Sequence, residues 1–385
     1  MYNNNLLSSS GVVGFCFFAF SVVLSSVTEK CKRLGGGGSG RSGRSGRSGG
    51  SGGGVDITTV CNRVENNSDV ECEKILTSLF GLTGRVNVSS NDVVTMIPIS
   101  LVQSRYYEKV KLALESALKC GGRMVRYDPT SESESDLKVK SKDGTLVDFA
   151  TWVDVRNEAD ICEMIRGKFP GDNVIGEESV ESAGSGGYVF DNGSTWIIDP
   201  VDGTTNFASG NPMCCVSIGY AENKVVQFGV VVAPFIKEVY ITVKGMGAWK
   251  NCRPMSLLRD KKLEDCNLAF EFGYARDFDS TAVICEAAKK LLCKGVRSMR
   301  QYGSGVLDLC WVAGGEIDAV YTGVKGEGWK IWDYAAGGLV VEECGGCLEN
   351  LRKGGKEDGG FDITGKDMVA SCCGAVNEEI RRIVL

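Results

Sequence analysis

The sequence predicts a mixed α/β fold in which layers of helices cover both faces of a sheet. Three observations support this fold class. Apolar runs of strand length alternate with helical patterns from residue 105 to the C-terminus. Asn223-Lys224 stands between two of these runs, as in a two-residue β-hairpin. The 385 residues allow one large domain or two smaller ones, with enough length for a buried core.

Helices are predicted where apolar residues recur every three or four positions between charged residues. Val110, Leu114 and Leu118 give this pattern over residues 104–123, and Gly121-Gly122 predicts the end of that helix. Later helices are predicted at residues 158–168, 278–293, 304–313 and 334–344, and a weaker periodicity lies at 70–82. Strands are predicted at residues 174–176, 196–198, 213–221, 225–233, 238–243, 267–272, 296–300 and 317–322.

The N-terminal part of the chain differs in composition from the rest. Residues 1–34 hold an apolar run at 11–27, with Lys30, Lys32 and Arg33 after it and no basic residue before it. We interpret it as an uncleaved membrane anchor with the C-terminal body in the cytosol; a cleaved signal and a misassigned start are the alternatives. Residues 35–54 are a Gly/Ser/Arg repeat typical of a flexible linker. Residues 55–103 form an extension without a recognisable motif.

The 17 cysteines are an odd number, and several stand in apolar runs or in vicinal pairs. This pattern favours buried free thiols and a reducing, cytosol-like compartment over a disulfide framework. A soluble cytoplasmic or an organelle-targeted protein is the alternative to the anchored one. Cys344-Gly-Gly-Cys347 has no second pair and no histidine for a zinc site, so a turn after a helix explains it better.

Charge and composition exclude several classes of function. The net charge is −6 and the sequence has no long basic run, so nothing indicates a nucleic-acid partner. The chain contains no histidine. Histidine general bases, phosphohistidine intermediates and histidine metal ligands are therefore excluded. Carboxylates, water and metal ions remain for acid–base chemistry.

Residues 196–207 carry the chemistry and read Trp-Ile-Ile-Asp-Pro-Val-Asp-Gly-Thr-Thr-Asn-Phe. A buried strand is predicted to end at Asp199, because Pro200 cannot donate to the next ladder bond. Asp199, the Val201 carbonyl and Asp202 offer oxygen ligands that suit Mg²⁺ or Mn²⁺. Gly203 and the helix start at 204–206 offer free N–H groups that suit a phosphate. An ordinary Asp-rich turn with a capped helix is the alternative.

Three ordered motifs resemble those of the inositol monophosphatase family. They are residues 199–207, Gly176-Glu177-Glu178 upstream and Trp332-Asp333-Tyr-Ala-Ala-Gly337 downstream. The resemblance covers residues 105–385. It implies a catalytic domain at 104–385 with the family's layered α-β-α-β-α sandwich.

The resemblance also implies roles for individual residues. Glu177, Asp199, Asp202, Asp333 and the Val201 carbonyl would hold two or three Mg²⁺ ions, with Glu178 as a supporting partner. Gly203, Thr204 and Thr205 would bind phosphate, and Thr204 with Glu177 would position the attacking water. Thr151 and Asp154 match the family's Thr-x-x-Asp element, which supports that water, although Asp154 as a plain N-cap of the following helix is the alternative. Glu327 is the candidate for binding sugar hydroxyls, and Lys325 and Lys330 could instead favour a more anionic substrate.

The function implied by the resemblance is Mg²⁺-dependent hydrolysis of inositol monophosphate to inositol and phosphate, by in-line attack of a metal-activated water. Lithium inhibition and a homodimer are further implied properties. The alternatives are a phosphatase for histidinol phosphate, fructose 1,6-bisphosphate or a nucleotide 3′-phosphate. A catalytically inactive, membrane-tethered scaffold is the alternative from another class. It is disfavoured because Glu177, Asp199, Asp202 and Asp333 are all present.

Overall fold

The computed structural model describes residues 68–81, 88–127, 140–141, 149–183, 187–257, 259–326, 328–352 and 360–385; at 140–141 and 149–150 it describes the backbone alone. The helices are α1 (Ser68–Phe80), α2 (Ser90–Met96), α3 (Tyr107–Arg126), α4 (Trp152–Lys168), α5 (Glu177–Ser182), α6 (Thr204–Ala208), α7 (Phe278–Lys294), α8 (Gly305–Gly314), α9 (Ile331–Glu343) and α10 (Gly374–Val384). Short 3₁₀ turns lie at Ile99–Leu101 and Leu263–Asp265.

The strands are β1 (Lys140–Ser141), β2 (Phe149–Ala150), β3 (Asn173–Gly176), β4 (Ser194–Asp202), β5 (Cys215–Glu222), β6 (Val225–Ala233), β7 (Glu238–Val243), β8 (Gly247–Lys250), β9 (Arg253–Pro254), β10 (Asn267–Phe270), β11 (Ser298–Arg300), β12 (Ala319–Thr322), β13 (Cys347–Glu349) and β14 (Met368–Ser371). Strands β3 to β9 form a seven-stranded sheet in chain order, and a five-stranded sheet has the order β11-β10-β12-β14-β13. In the larger sheet only β3 and β4 run parallel.

Helices cover both faces of the seven-stranded sheet. A Cβ at Gly229 of β6 would meet Ala336 of α9, whereas Val232 of the same strand lies against Gly121 of α3. Positions 229 and 232 point to opposite faces because side chains alternate along a strand. Helix α8 packs on α9 and on β12 and β14 of the smaller sheet, and α7 and α10 pack together beyond it. The layers therefore follow the order α-β-α-β-α, which confirms the predicted sandwich.

Part of the N-terminal extension packs onto this sandwich. Helices α1 and α2 contact α3, and apolar side chains from residues 72–101 are buried there. None of the helices in the described part of the chain combines the length and apolar character that crossing a bilayer requires. The proposed anchor at 11–27 and the linker at 35–54 lie outside the described residues and stay predictions.

Several boundaries differ from the sequence prediction. Helix α4 begins at Trp152 rather than at residue 158, because Thr151 is its N-cap. Helix α3 does not end at Gly121-Gly122 but continues to Arg126. Both glycines are buried, and Gly121 lies where a Cβ would come within 3.3 Å of Pro234 and Val232, so it allows close packing within the helix. Strand β4 does not end at Asp199 but continues to Asp202.

The hairpin and the turn at the CxxC motif agree with the sequence. Asn223 and Lys224 both adopt positive φ, at 52° and 61°, as a two-residue hairpin turn requires. After α9 the N–H of Gly346 bonds the Val341 carbonyl and that of Gly345 bonds Glu342, which is a Schellman ending. The cysteines of the described residues are all free thiols.

Candidate active site

The centre of the site is a bulge in β4. Asp199 pairs with Ser217 of β5 and Asp202 pairs with Cys215, so Pro200 and Val201 together oppose one residue of the partner strand. A bulge tolerates Pro200 because the inserted residue is left out of the ladder. The Asp199 carboxylate accepts a hydrogen bond from the Val201 N–H at 3.0 Å, which stiffens the turn. Both aspartates are buried.

Asp202 is held by the N-terminus of α8. Its carboxylate accepts hydrogen bonds from the Ser304 hydroxyl and from the N–H groups of Gly305 and Val306, the latter two at 3.2 and 3.1 Å. The first N–H groups of a helix have no partner within the helix, so a carboxylate there is stabilised. The β4 turn is thereby fixed to a helix more than a hundred residues later in the chain.

Asp333 reaches the site from the first turn of α9, where it accepts the Lys330 N–H at 2.6 Å. Carboxylate oxygens of Asp199, Asp202 and Asp333 all lie within 4.8 Å of one another. Burial raises the pKa of Asp202, and it raises the pKa of Asp333 well above its ordinary value, where the charges of Asp202 and Glu177 add to the effect. Asp199 and Asp202 are buried and Asp333 is partly buried. Because three carboxylates this close repel one another, they fit a divalent cation, and oxygen ligands suit Mg²⁺.

Glu177 lies beside this trio rather than within it. It is the first residue of α5, directly after β3, and its side chain is 9% exposed. Gly176 pairs in parallel register with Ile198, so Glu177 follows its strand at the same edge as Asp199. The Glu177 charge acts on Asp333. Among the described residues, the group of carboxylates within 4.8 Å nevertheless consists of Asp199, Asp202 and Asp333 alone.

Thr151 and Asp154 serve as a cap and reach the site as well. Thr151 is the N-cap of α4, and its N–H and hydroxyl both donate to the Asp154 carboxylate. The other Asp154 oxygen lies 2.9 Å from the Thr204 hydroxyl, which is also 3.0 Å from the Val201 carbonyl. The N-cap is therefore Thr151 and not Asp154, which lies in the first turn of α4 and closes the capping box. That box fixes the carboxylate that Thr204 contacts, and support of the water by Asp154 stays a prediction.

The predicted phosphate-binding residues follow immediately after the bulge. Gly203 has φ of 84°, and a Cβ there would lie 2.8 Å from the Met213 carbonyl oxygen, so glycine is needed for both reasons. Thr204 opens α6 and is half-buried, and Thr205 is exposed. The Asn206 amide donates to the carbonyls of Met213 and Tyr302, which ties α6 to the loop before α8.

The predicted residues at the mouth of the site have different outcomes. Glu327 lies outside the described residues, so its hydroxyl-binding role stays a prediction. Lys325 is exposed. Lys330 forms an ion pair with Glu181 of α5 and lies 5.3 Å from the centroid of the Trp332 ring. This ion pair joins the helix of Glu177 to the helix of Asp333.

Several residues at the site were not predicted from the sequence. Ser304 and Glu271 are among them, since a serine before a helix and a glutamate after a strand are common surface features. Glu271 accepts the Gly303 N–H at 3.0 Å and the Gln301 amide at 3.1 Å, and so holds the loop that presents Ser304 to Asp202. Neither carboxylate oxygen of Asp308, buried one turn further along α8, has a hydrogen-bond partner.

Glu271 gives a testable pH dependence. Burial raises its pKa from 4.5 to about 7, and the charge of Asp202 adds to the shift. The folded state therefore holds this proton more tightly than the unfolded state, and stability is lost as the pH rises from 4.5 through 7. Glu271→Gln removes this loss, so the variant should gain up to about 3 kcal/mol over the wild type above pH 7 and nothing below pH 4.5.

The measurement is urea unfolding of both proteins in EDTA across this pH range. Asp333 also has a raised pKa, but Glu271 is not among its causes, so its contribution cancels in the difference. Asp308 and Asp202 interact with Glu271, so the difference includes their relief when that charge is removed. Glu163→Gln, on an exposed position of α4, is the control and should track the wild type. Parallel curves for Glu271→Gln and wild type would contradict the assignment.

A profile of the inositol monophosphatase family matches residues 108–384. "Inositol monophosphatase 1" of Sus scrofa is 35% identical over 251 residues, 65% of this chain and 86% of the relative. "Inositol monophosphatase 1" of Solanum lycopersicum is 39% identical over 225 residues, 58% of this chain and 78% of the relative.

Among solved structures, the inositol monophosphatase from Anabaena superposes with a TM-score of 0.58 at 29% identity, covering 73% of this chain and 96% of that one. The matched region contains every described site residue, from Thr151 to Asp333, and begins inside α3. Helices α1 and α2 precede it. On the extent of this match, the layered fold and the convergence of the three motifs, the chain belongs to the inositol monophosphatase family.

Proposed function

We propose that this protein is a Mg²⁺-dependent phosphomonoesterase that hydrolyses inositol monophosphate to inositol and phosphate. The observation that carries the proposal is the convergence of Asp199, Asp202 and Asp333, from two separate elements, within 4.8 Å. Relatives that bear the name inositol monophosphatase support the substrate class. A scaffold would not need three adjacent carboxylates in mutual repulsion, two of them buried, because their cost is offset only when a cation binds.

The cation would be held by the three aspartates, the Val201 carbonyl and Glu177. When bound, Mg²⁺ supplies a Lewis acid that lowers the pKa of a coordinated water and offsets charge on the phosphoryl oxygens. Two or three ions per subunit, inhibition by lithium and a homodimer are parts of the proposal that follow from family membership.

The chain's own groups would orient the attacking water and handle its proton. The Thr204 hydroxyl can donate to Asp154, 2.9 Å away, which leaves its lone pairs to accept from a water. Thr151 holds Asp154 in place through two hydrogen bonds to the other carboxylate oxygen. The N–H groups at the start of α6, after Gly203, would meet the phosphate, and Glu177 would hold the water from the opposite element.

Phosphate release from a panel of esters tests the substrate assignment. The panel contains inositol 1-phosphate, fructose 1,6-bisphosphate, histidinol phosphate and adenosine 3′,5′-bisphosphate, each with Mg²⁺ and with or without lithium. We expect kcat/KM for inositol 1-phosphate to exceed the others by about tenfold or more, with loss of turnover in lithium.

The other outcomes divide the proposal. Preference for another ester would keep the metal chemistry and reject the inositol assignment. Binding of Mn²⁺ without turnover of any ester would reject the enzymatic assignment in favour of a scaffold.

A further inference from the structure

One face of helix α4 carries buried polar residues that each contact a different part of the site. Asp154 contacts Thr204, and Asn157 donates from its side-chain amide to the Pro200 carbonyl at 3.2 Å. Glu158 turns to α5, the helix that begins with Glu177. Residues 154, 157 and 158 share a face because they are three and four positions apart. Of these three residues, Glu158 is the one that contacts the helix of Glu177, a predicted metal ligand.

The Glu158 carboxylate caps α5. One oxygen accepts the Glu178 N–H at 2.8 Å, and the other accepts the Ser179 N–H at 2.9 Å together with the Ser179 hydroxyl. Glu158 is 3% exposed, so these bonds are made away from water. Charge-assisted hydrogen bonds of this kind are about twice as strong as neutral ones.

Gly176 leaves room for this carboxylate. A Cβ at position 176 would lie 2.5 Å from Glu158 Cδ and 2.6 Å from Oε2, closer than non-bonded atoms approach. The backbone of Gly176, with φ of −114° and ψ of 143°, is open to any residue. The obstacle to a side chain at this position is therefore Glu158 itself, and not backbone strain.

Helix α5 depends on such a cap. It has six residues, and helices this short are not stable on their own because nucleation costs more than a few hydrogen bonds return. Its first turn carries Glu177, so the position of the Glu177 carboxylate is set by whatever holds that turn. Glu158 provides three bonds to it from a helix fixed independently by the Thr151 capping box.

We propose that Glu158 is a positioning residue that holds the first turn of α5, and so aligns Glu177 with the three aspartates for divalent-cation binding. This inference rests on the proposed function, since it requires a cation at the aspartates. Glu158 acts through Glu177 and touches neither the cation nor the substrate. Loss of the Glu158 cap should lower the metal affinity, and it should lower turnover only at limiting metal concentrations.

The first test is Glu158→Gln, with Mn²⁺ affinity measured by calorimetry on the folded protein. The glutamine oxygen can replace one carboxylate oxygen, but its NH₂ group would face the N–H of Glu178 or Ser179, so at least one cap is lost. We expect Mn²⁺ affinity to fall about tenfold, as for other residues that orient a ligand, and kcat to recover at high Mg²⁺. Glu163→Gln, exposed on the same helix, should bind Mn²⁺ as the wild type does.

The second test leaves Glu158 in place and displaces it. Gly176→Ala should weaken Mn²⁺ binding by a similar factor. Gly171→Ala is the matched control, because a Cβ there meets nothing within 4 Å. In a Glu158→Ala background the clash is gone, so adding Gly176→Ala should lower the Mn²⁺ affinity little further. Gly176→Ala also carries the test if Glu158→Gln does not fold.

The outcomes separate this inference from the proposed function. Wild-type Mn²⁺ affinity in Glu158→Gln, with only a lower unfolding temperature, would reduce Glu158 to a structural residue. An equal loss of Mn²⁺ affinity from Gly176→Ala in the wild-type and Glu158→Ala backgrounds would likewise overturn the inference. If the wild type itself bound no Mn²⁺, the proposed metal centre would fail, and the role of Glu158 with it.

Discussion

Asp199→Asn is expected to lower kcat/KM by about a thousandfold or more while the protein stays folded, a loss of about 4 kcal/mol in transition-state stabilisation. Asparagine retains the side-chain oxygen that accepts the Val201 N–H, so the bulge should persist. What is lost is one negative charge from a group of three carboxylates within 4.8 Å, and with it the affinity for the cation. Steady-state kinetics with Mg²⁺, together with Mn²⁺ titration, measures both effects.

The same substitution should stabilise the metal-free protein. Asp199, Asp202 and Asp333 repel one another when no cation is present, and removal of one charge relieves the other two. In EDTA the unfolding temperature of Asp199→Asn should therefore exceed that of the wild type, whereas added Mg²⁺ should raise the wild type more than the variant. Near-wild-type turnover, or a destabilised metal-free variant, would contradict the assignment of Asp199.

The sequence predicted those site residues that belong to a motif with fixed residue types in a fixed order. The Asp199–Asp202 turn follows an apolar strand, and the Trp332-Asp333 pair opens a helix of small residues; each is recognisable locally. Their meeting is a long-range fact, produced by the contact of α9 with β4 and β5. The resemblance to a family supplied that step, since local pattern does not determine which helix end meets which strand.

The supporting residues could not be predicted in the same way. A glutamate in a helix is usually solvated, and Glu158 is buried by tertiary contacts that its local sequence does not show. Gly121 was predicted to end α3, but tertiary contact with Pro234 and Val232 outweighed its low helix propensity. Pro200 was predicted to end β4, but the strand continues past it because the bulge leaves this residue out of the ladder. In each case a contact distant in sequence decided against the local rule.

Helix α4 holds several parts of the site together, a role that its sequence did not indicate. Asn157 receives a hydrogen bond from Arg123 of α3 and donates one to the Pro200 carbonyl inside the bulge. Asp154 and Glu158 hold the elements on either side of that bulge. Buried polar groups are stable only when all their partners are present, so this face of α4 specifies one arrangement of the site. The rigidity needed to hold repelling carboxylates together comes from these contacts.

Thr204→Val is expected to lower kcat about a hundredfold, or nearly 3 kcal/mol, with Mn²⁺ affinity unchanged. Valine keeps the shape of threonine but removes the hydroxyl that lies between Asp154 and the Val201 carbonyl. The water then loses the acceptor that passes a proton toward Asp154. Thr204→Ser is the matched control, because it keeps the hydroxyl, and it should retain most of the activity.

Asp154→Asn should cause a similar loss of kcat, because it changes the hydrogen bonds around Thr204. Its amide oxygen would turn to the two Thr151 donors, so that its NH₂ group faces Thr204 and reverses the hydroxyl toward the Val201 carbonyl. Since Thr204 and Asp154 act as one unit, the double variant Thr204→Val/Asp154→Asn should be no slower than either single variant. Kinetics of the four proteins at saturating Mg²⁺ measures this coupling. Losses that multiply would mean that the two residues act independently, and the capping box would then be the whole role of Asp154.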